Sequence, residues 1–455
     1  MGKKSTKTRA VVLEILTVIH NDANEKLHIL LRNVLDKYDY MDARDKALIK
    51  RLAEGCVEQQ IKLDYVIGCY AKTKNGKMKP IIRDILRMGV YQILYMDSIP
   101  DFSACNEAVL LAGEKGYRGL GGFVNGVLRK IASEKDRIPW PEKSQGTYYL
   151  SVMYSMPEWI VKRWTDRYGA EQTEKMLAGI LEISDLTLRR KESMSGDEVA
   201  RWQQDLEKQD VCYEEHPYLS YAYVLKNNNS IEELPGYREG LFAVQDVSSM
   251  LAIELAGIKK GDFVVDVCAA PGGKAMHAAE KTGEGGRVLA SDLLPYKVDL
   301  MQENADRMRL TQMQVRQWDA LIKDESLEGR ADVVIADLPC SGLGVMGRKS
   351  DIRYHVSEEG LLEVAKLQRS ILAVAASYVK EGGILLYSTC TVNPDENEKN
   401  REWFLENNTA FAAESIEDAL PEELKGGTGK DGHLQLLPGV HKCDGFYIAK
   451  FRKKK

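Results

Sequence analysis

Apolar residues recur at helical spacing through roughly the first 135 positions and then give way to shorter, strand-like runs. In MKPIIRDILRMGVYQILYM, Met78, Ile81, Ile82, Ile85 and Met88, with Leu86 or Val90, form one stripe, while Arg83 and Arg87 stand one turn apart on the polar side. That spacing predicts a long helix in a helical bundle. Val11, Val12, Ile15, Leu16 and Ile19 share a face in the same way, predicting an amphipathic helix near the start. GYRGLGGFVNGVLRKIA packs five glycines into eleven residues before another helical stretch, a pattern for a tight helix connection.

Two prolines around Trp140 in DRIPWPEKSQG interrupt the helical pattern and place a linker there. MPEWIVKRWTDRYG follows, a helix opening at a proline, whose Trp159, Lys162, Arg163 and Trp164 suit either RNA stacking or ordinary amphipathic packing. Residues 180–240 mix strand-like LTLRR and YAYVLK with a helix, GDEVARWQQDLEK, and predict a small α/β module. From Leu241 onward strand and helix patterns alternate, predicting a parallel sheet with helices on both faces. The expected division is 1–138, 139–240 and 241–455.

Charge sharpens this division. Residues 1–150 carry 25 Lys and Arg against 18 Asp and Glu, whereas 151–455 carry 38 against 50. A basic first domain ahead of an acidic remainder points to a nucleic-acid partner, although solvated helix faces produce the same count. The longest apolar stretch, Ile371 to Val379 with Ser377 within it, has nine residues, too few to span a bilayer. The start, MGKKSTKTRAVVLEILTVI, imitates myristoylation and signal-peptide patterns, but Glu14 interrupts the apolar stretch and no small-residue cleavage site follows. Eight cysteines without C-x-x-C or Cys/His spacing predict reduced thiols in the cytoplasm and no metal site.

Three segments carry candidate chemistry. GDFVVDVCAAPGGKAMHAAE reads as a buried strand, a glycine-bearing turn and a helix, a unit that presents backbone N–H groups to a ligand at the sheet's carboxyl edge. Its turn reads C-A-A-P-G-G-K where a dinucleotide site has G-x-G-x-x-G, so Cys268, Ala269, Ala270, Pro271, Gly272, Gly273 and Lys274 are expected to hold a nucleoside-type cofactor. RVLASD ends in Asp292, placed for ribose hydroxyls, and QVRQWDA brings Asp319 to the next edge, within reach of an adenine amino group. ADVVIADLPCSG runs into Asp337, Pro339 and Cys340, and GGILLYSTC runs into Cys390, so two strands deliver a cysteine to one edge.

DVCAAPGGK, DLPCSG and YSTCTVNPDENE together resemble the RNA cytosine-C5 methyltransferases that use S-adenosylmethionine, and VQDVSS (244–249) resembles the opening motif of that family. The helices at the start, with GGFVNGVLRKIA, resemble a NusB-type RNA-binding domain. The combination is similar to the ribosomal small-subunit methyltransferase B family. The resemblance implies an all-α NusB-like bundle, a small α/β linking module and a Rossmann-like methyltransferase domain. It implies Cys390 as the nucleophile that adds to cytosine C6, Cys340 as the group assisting release of the C5 proton, and Asp337 on the cytosine edge and beside the cofactor. Asn393 can cap a helix with Pro394 at its first position, a setting that favours thiolate at Cys390. The implied partner is RNA, 16S ribosomal RNA, approached by a monomer without metal or membrane. A transfer RNA cytosine methyltransferase, and a non-catalytic NusB-like antitermination factor, are the alternatives. LTLRRKES lacks the asparagine the family often places soon after an arginine, which removes support for an RNA role there.

Overall fold

The computed structural model describes residues 2–22, 25–73, 75–182, 185–226 and 230–455. The chain forms two compact units, one of residues 1–181 with 346–355 and one of 182–345 with 356–455.

The first unit is helical. Val11, Val12, Ile15, Leu16 and Ile19 are all buried on the helix Gly2–Asn21, as their spacing predicts. The helix Pro80–Tyr95 begins on a proline that supplies no N–H and needs none there. It departs from the expected two-sided pattern, because Arg87 is buried rather than solvated. Its guanidinium bonds both oxygens of Asp64, at 2.7 and 2.6 Å, and Asp84 at 3.0 Å, so the charge is compensated inside the bundle. Trp164 on Glu158–Tyr168 is completely buried, which settles that aromatic as packing. The glycine-rich stretch makes the predicted tight connection, and a Cβ at Gly121 would press on Val109 at 3.3 Å. Residues 346–355 join this unit through Asp351, which accepts from Leu27 N at 3.1 Å, and Arg353, which donates to Ser155 O at 3.1 Å.

The second unit holds two sheets. Leu186–Arg190 (β1), Tyr213–His216 (β2), Leu219–Leu225 (β3) and Phe242–Val244 (β4) form a four-stranded antiparallel sheet in the order β2-β3-β1-β4, packed on the helix Gly196–Lys208 through Trp202 and Leu206. The larger sheet contains Phe263–Asp266 (β5), Arg287–Asp292 (β6), Met313–Gln317 (β7), Ala331–Asp337 (β8), Val379–Thr389 (β9), Phe411–Ala413 (β10), His433–Leu436 (β11) and Phe446–Lys453 (β12). Its order is β10-β12-β9-β8-β5-β6-β7, with β11 also on β12. The five strands from β7 to β9 are parallel, as the alternation predicts, whereas β12 runs antiparallel against β9 and β10. Apolar side chains cover both faces of this sheet. The chain leaves β5 for β6 on one side and returns to β8 on the other, which opens a crevice at the carboxyl ends of these strands.

Candidate active site

The register of β8 on β9 sets the two cysteines side by side. Asp337 lies opposite Ser388, so the chain continuing from each strand leaves the same edge, and Cys340 Sγ comes 2.9 Å from Cys390 Sγ. Glu396, fully buried, ties the two loops together. It accepts from Ser341 N at 2.8 Å, Ser341 Oγ at 2.5 Å, Gln368 Nε2 at 3.1 Å and Asn393 Nδ2 at 2.8 Å. Ser341 Oγ also meets Thr391 Oγ1 at 2.7 Å. The hydrogen bond with Cys390, together with burial, holds the Cys340 thiol well above its ordinary pKa. Cys340 therefore holds its proton more firmly than an ordinary thiol, within hydrogen-bond distance of the Cys390 sulfur.

One expectation fails here. Asn393 caps no helix, because residues 394–397 form a turn and the helix runs Glu398–Asn407. Asn393 spends its amide on Glu396, and its oxygen accepts from Asp395 N at 3.4 Å. Glu396, which a cap at Asn393 would place in the first turn of a helix, is instead a bracket between loops, while Asp395 pairs with Lys399 at 2.7 Å.

The second half of the site is the turn between β5 and the helix Gly273–Thr282. Cys268 to Lys274 lie together in it, with a cis peptide at Ala270–Pro271. Ala269 N donates to Ser291 O at 2.9 Å, which fastens the turn to β6. Gly272 has φ 104°, a left-handed conformation, and a Cβ there would meet Met301 at 3.3 Å. Lys274 reaches out of the turn to Asp337 Oδ2 at 2.8 Å and Ser249 Oγ at 3.1 Å. Burial lowers its proton affinity, and the Asp337 carboxylate more than reverses this, so the ammonium stays charged. Asp337 Oδ1 accepts from Ser388 Oγ at 2.7 Å.

Sheet order brings Asp292, Asp266 and Asp337 to the ends of consecutive strands. Asp292 is 7% exposed and uses Oδ1 on Leu294 N at 3.2 Å. Asp319 lies beyond the end of β7, half-buried, with Oδ1 accepting from Leu321 N at 2.9 Å. Asp266 is fully buried; burial and the neighbouring Asp337 push its pKa up to about 8, so its carboxyl is neutral at pH 7. Among the described residues, Asp266 Oδ2 and Gln245 Nε2 are buried without a hydrogen-bond partner, both at this turn. Such orphaned atoms, beside a glycine turn and two strand-end carboxylates, fit a nucleoside cofactor with a polar tail.

Sequence reading missed Glu396, Gln245 and Ser249 as contributors. VQDVSS and YSTCTVNPDENE marked these residues as motif letters without giving their tasks. Glu192, Glu254 and His277 bring donor atoms within 4.8 Å of one another, the arrangement of a metal site. Lys281 Nζ, 2.8 Å from Glu192 and 2.7 Å from Glu254, already supplies the positive charge there. Burial and the nearby Arg189 push the His277 pKa down to about 4.

Residues 253–452 match the family described as 16S rRNA methyltransferase RsmB/F, and residues 6–133 match the NusB family. The chain is 35% identical to a probable ribosomal RNA small subunit methyltransferase B of Bacillus subtilis, over 99% of this chain and all of that one. It is 30% identical to the ribosomal RNA small subunit methyltransferase B of Vibrio cholerae, over 90% of each. Among solved structures, PH0851 superposes with a TM-score of 0.79 at 24% identity, covering 98% of this chain and 99% of that one. NSun6 from Pyrococcus horikoshii with SFG superposes at 0.57 and 20% identity, covering 67% of this chain and all of that one. These two likenesses establish the fold. No described helix is long and apolar enough to cross a membrane. The chain belongs to the ribosomal RNA small subunit methyltransferase B family, whose cofactor is S-adenosylmethionine.

Proposed function

We propose that this chain transfers a methyl group from S-adenosylmethionine to C5 of a cytosine in 16S ribosomal RNA through a covalent adduct between Cys390 and cytosine C6. The observation that carries the reading is the pair of thiols at 2.9 Å, one of them held protonated. Cytosine C5 is a weak nucleophile, and addition of a thiolate to C6 gives the ring enamine character at C5. Bound S-adenosylmethionine supplies an electrophilic sulfonium methyl. Cys390 is the attacking thiolate, with the Cys340 S–H directed at it.

Forming the C6–S bond turns Cys390 into a neutral thioether. The hydrogen bond and charge that hold the proton on Cys340 then vanish, its pKa falls, it releases that proton to solvent, and the resulting thiolate accepts the C5 proton after methyl transfer. Elimination restores the Cys390 thiolate, and one proton leaves per turnover. Asp337, fixed by Lys274 and Ser388, faces the cytosine edge. Asp292 takes the ribose and Asp319 the adenine. The target base must leave its stack, so a cytosine in a loop costs least. The basic NusB-like helices hold neighbouring RNA with an affinity that falls as salt rises. The reading places the enzyme in the cytoplasm.

The test mixes Cys340→Ser with unmethylated small-subunit rRNA and S-adenosylmethionine on a denaturing protein gel, beside Cys390→Ser and the double variant. A shifted protein–RNA band that requires Cys390 supports the reading. Wild-type turnover on this RNA without any such band refutes the cysteine assignment, and turnover on transfer RNA alone refutes the substrate.

A further inference from the structure

Gln245 lies one residue past β4 in the VQDVSS motif, and its side chain is caught between a buried arginine and the cofactor turn. Arg189 on β1 is completely buried, and its Nε donates to Gln245 Oε1 at 2.7 Å. An arginine offers donors only, so this bond assigns the amide: oxygen toward Arg189, NH2 away from it. The backbone of Gln245 is held too, its N–H donating to Thr187 O at 3.1 Å on the same strand. The NH2 group has no acceptor among the described residues, although Gln245 is only 6% exposed. Its amide packs over Gly273, the first residue of the helix Gly273–Thr282; a Cβ at Gly273 would lie 3.7 Å from Gln245 Cδ and 3.9 Å from Nε2.

A buried donor without a partner costs stability, and this one stands where helix N–H groups already favour an anion. The cofactor carries one anionic group, the carboxylate of its methionine end. Its ribose belongs to Asp292 on the far side of the turn, so the donor at Gly273 is left for the carboxylate. Arg189 is fixed from behind by Glu280, which lies on that same helix, with Nη1 and Oε1 at 2.7 Å. The charges meet there, although no N–H of Arg189 is aligned as a hydrogen bond to Glu280. The arginine thus spans from the small sheet to the helix that carries the turn.

We propose that Gln245 binds the carboxylate of S-adenosylmethionine through its side-chain NH2, and that Arg189 is the positioning residue that keeps this amide from turning over. The proposal rests on the cofactor reading of the turn. It also gives LTLRRKES a task within the methyltransferase unit rather than on RNA.

The test is calorimetric binding of two probes, S-adenosylmethionine and its decarboxylated analogue, to the full chain and to Gln245→Ala, Gln245→Glu and Arg189→Lys, with a melting curve for each variant. Wild type should prefer S-adenosylmethionine. Gln245→Ala should weaken S-adenosylmethionine by about tenfold, the loss of a hydrogen bond to a charged group, and leave the decarboxylated probe within twofold. Gln245→Glu should reduce the preference further through like charge. Arg189→Lys, which cannot reproduce the fork that holds Gln245 and Glu280 together, should also lower the ratio while keeping the decarboxylated probe. A ratio unchanged in both Gln245 variants, or equal losses for both probes, overturns the proposal; if Arg189→Lys does not fold, those two variants decide it. Wild type binding neither probe overturns the cofactor reading itself.

Discussion

Around the thiols, Glu396 accepts four hydrogen bonds from three residues of three different segments, while at the turn after β5 two buried polar atoms, Gln245 Nε2 and Asp266 Oδ2, accept or donate none. Both regions sit at the carboxyl edge of one sheet. The cysteine pocket is closed by hydrogen bonds within the chain, which under the proposed mechanism hold two sulfur atoms at a fixed spacing before RNA arrives. The turn is built to be completed by something else, and the orphaned donor and the neutral carboxyl mark where. The difference teaches that unsatisfied atoms inform where they coincide with a glycine turn and strand-end carboxylates, since buried atoms without partners also occur elsewhere among the described residues.

Removing the bracket should have the largest effect. Glu396→Ala removes the shared acceptor of four donors, of which Gln368 Nε2 keeps Pro339 O and Ser341 Oγ keeps Thr391 Oγ1, and we expect a loss of about 4 kcal/mol in unfolding free energy together with collapse of kcat. The affinity for S-adenosylhomocysteine, bound at the other region, should stay within about threefold. A variant that keeps wild-type turnover would show that the loops hold their spacing without Glu396. Denaturant unfolding and calorimetry on one preparation read both quantities.

Next in size is the pair that joins the regions. Lys274→Met strands the Asp337 charge and Asp337→Asn strands the ammonium, each at a cost of about 3 kcal/mol, because the partners are only 12% and 27% exposed. The double variant should be less destabilised than the sum, by about 2 kcal/mol. Strict additivity would mean that the two charges are independently solvated. Asp292→Ala should weaken S-adenosylmethionine binding by about 2 kcal/mol without a matching loss of stability, since its turn bond to Leu294 is replaceable by water. Unchanged affinity removes Asp292 from the ribose site.

Much of this was legible in sequence, and the misses have physical causes. Strand and helix alternation gave the parallel core, and the strand-end positions of Asp337, Cys340 and Cys390 followed from apolar runs that stop at polar residues. The antiparallel β12 was missed because FYIAKFRK alternates like any strand and pairing direction is not local. Arg87 was misplaced on a solvated face, since helical spacing records only which side a residue faces, and Asp64 and Asp84 make a charged side compatible with burial. Asn393 and Pro394 carried a sound capping pattern, but Glu396 draws the turn toward Ser341, 55 residues earlier. No local pattern encodes that partner. Gln245 was visible as a motif letter only, because its orientation depends on Arg189, 56 residues earlier on the neighbouring strand of the same sheet.

The smallest effect concerns Asp266 and can be read without RNA or cofactor. Burial and the Asp337 charge hold its proton up to about pH 8, against Lys274 and the Cys268 N–H, while an unfolded aspartate releases its proton near pH 4. Between these values the folded protein binds the extra proton, so its stability is greatest at the acid end and falls as pH rises toward 8. From pH 6 to 7 the Asp266 contribution should be a loss of about 1 kcal/mol. Asp266→Asn keeps the shape of the neutral carboxyl and cannot ionise, so it should remove that loss while leaving other titrations in place. Urea unfolding of both proteins at pH 6 and pH 7 measures the difference. Equal slopes would mean that Asp266 is already ionised in the folded chain, and the turn would then face its cofactor with a charge rather than a proton.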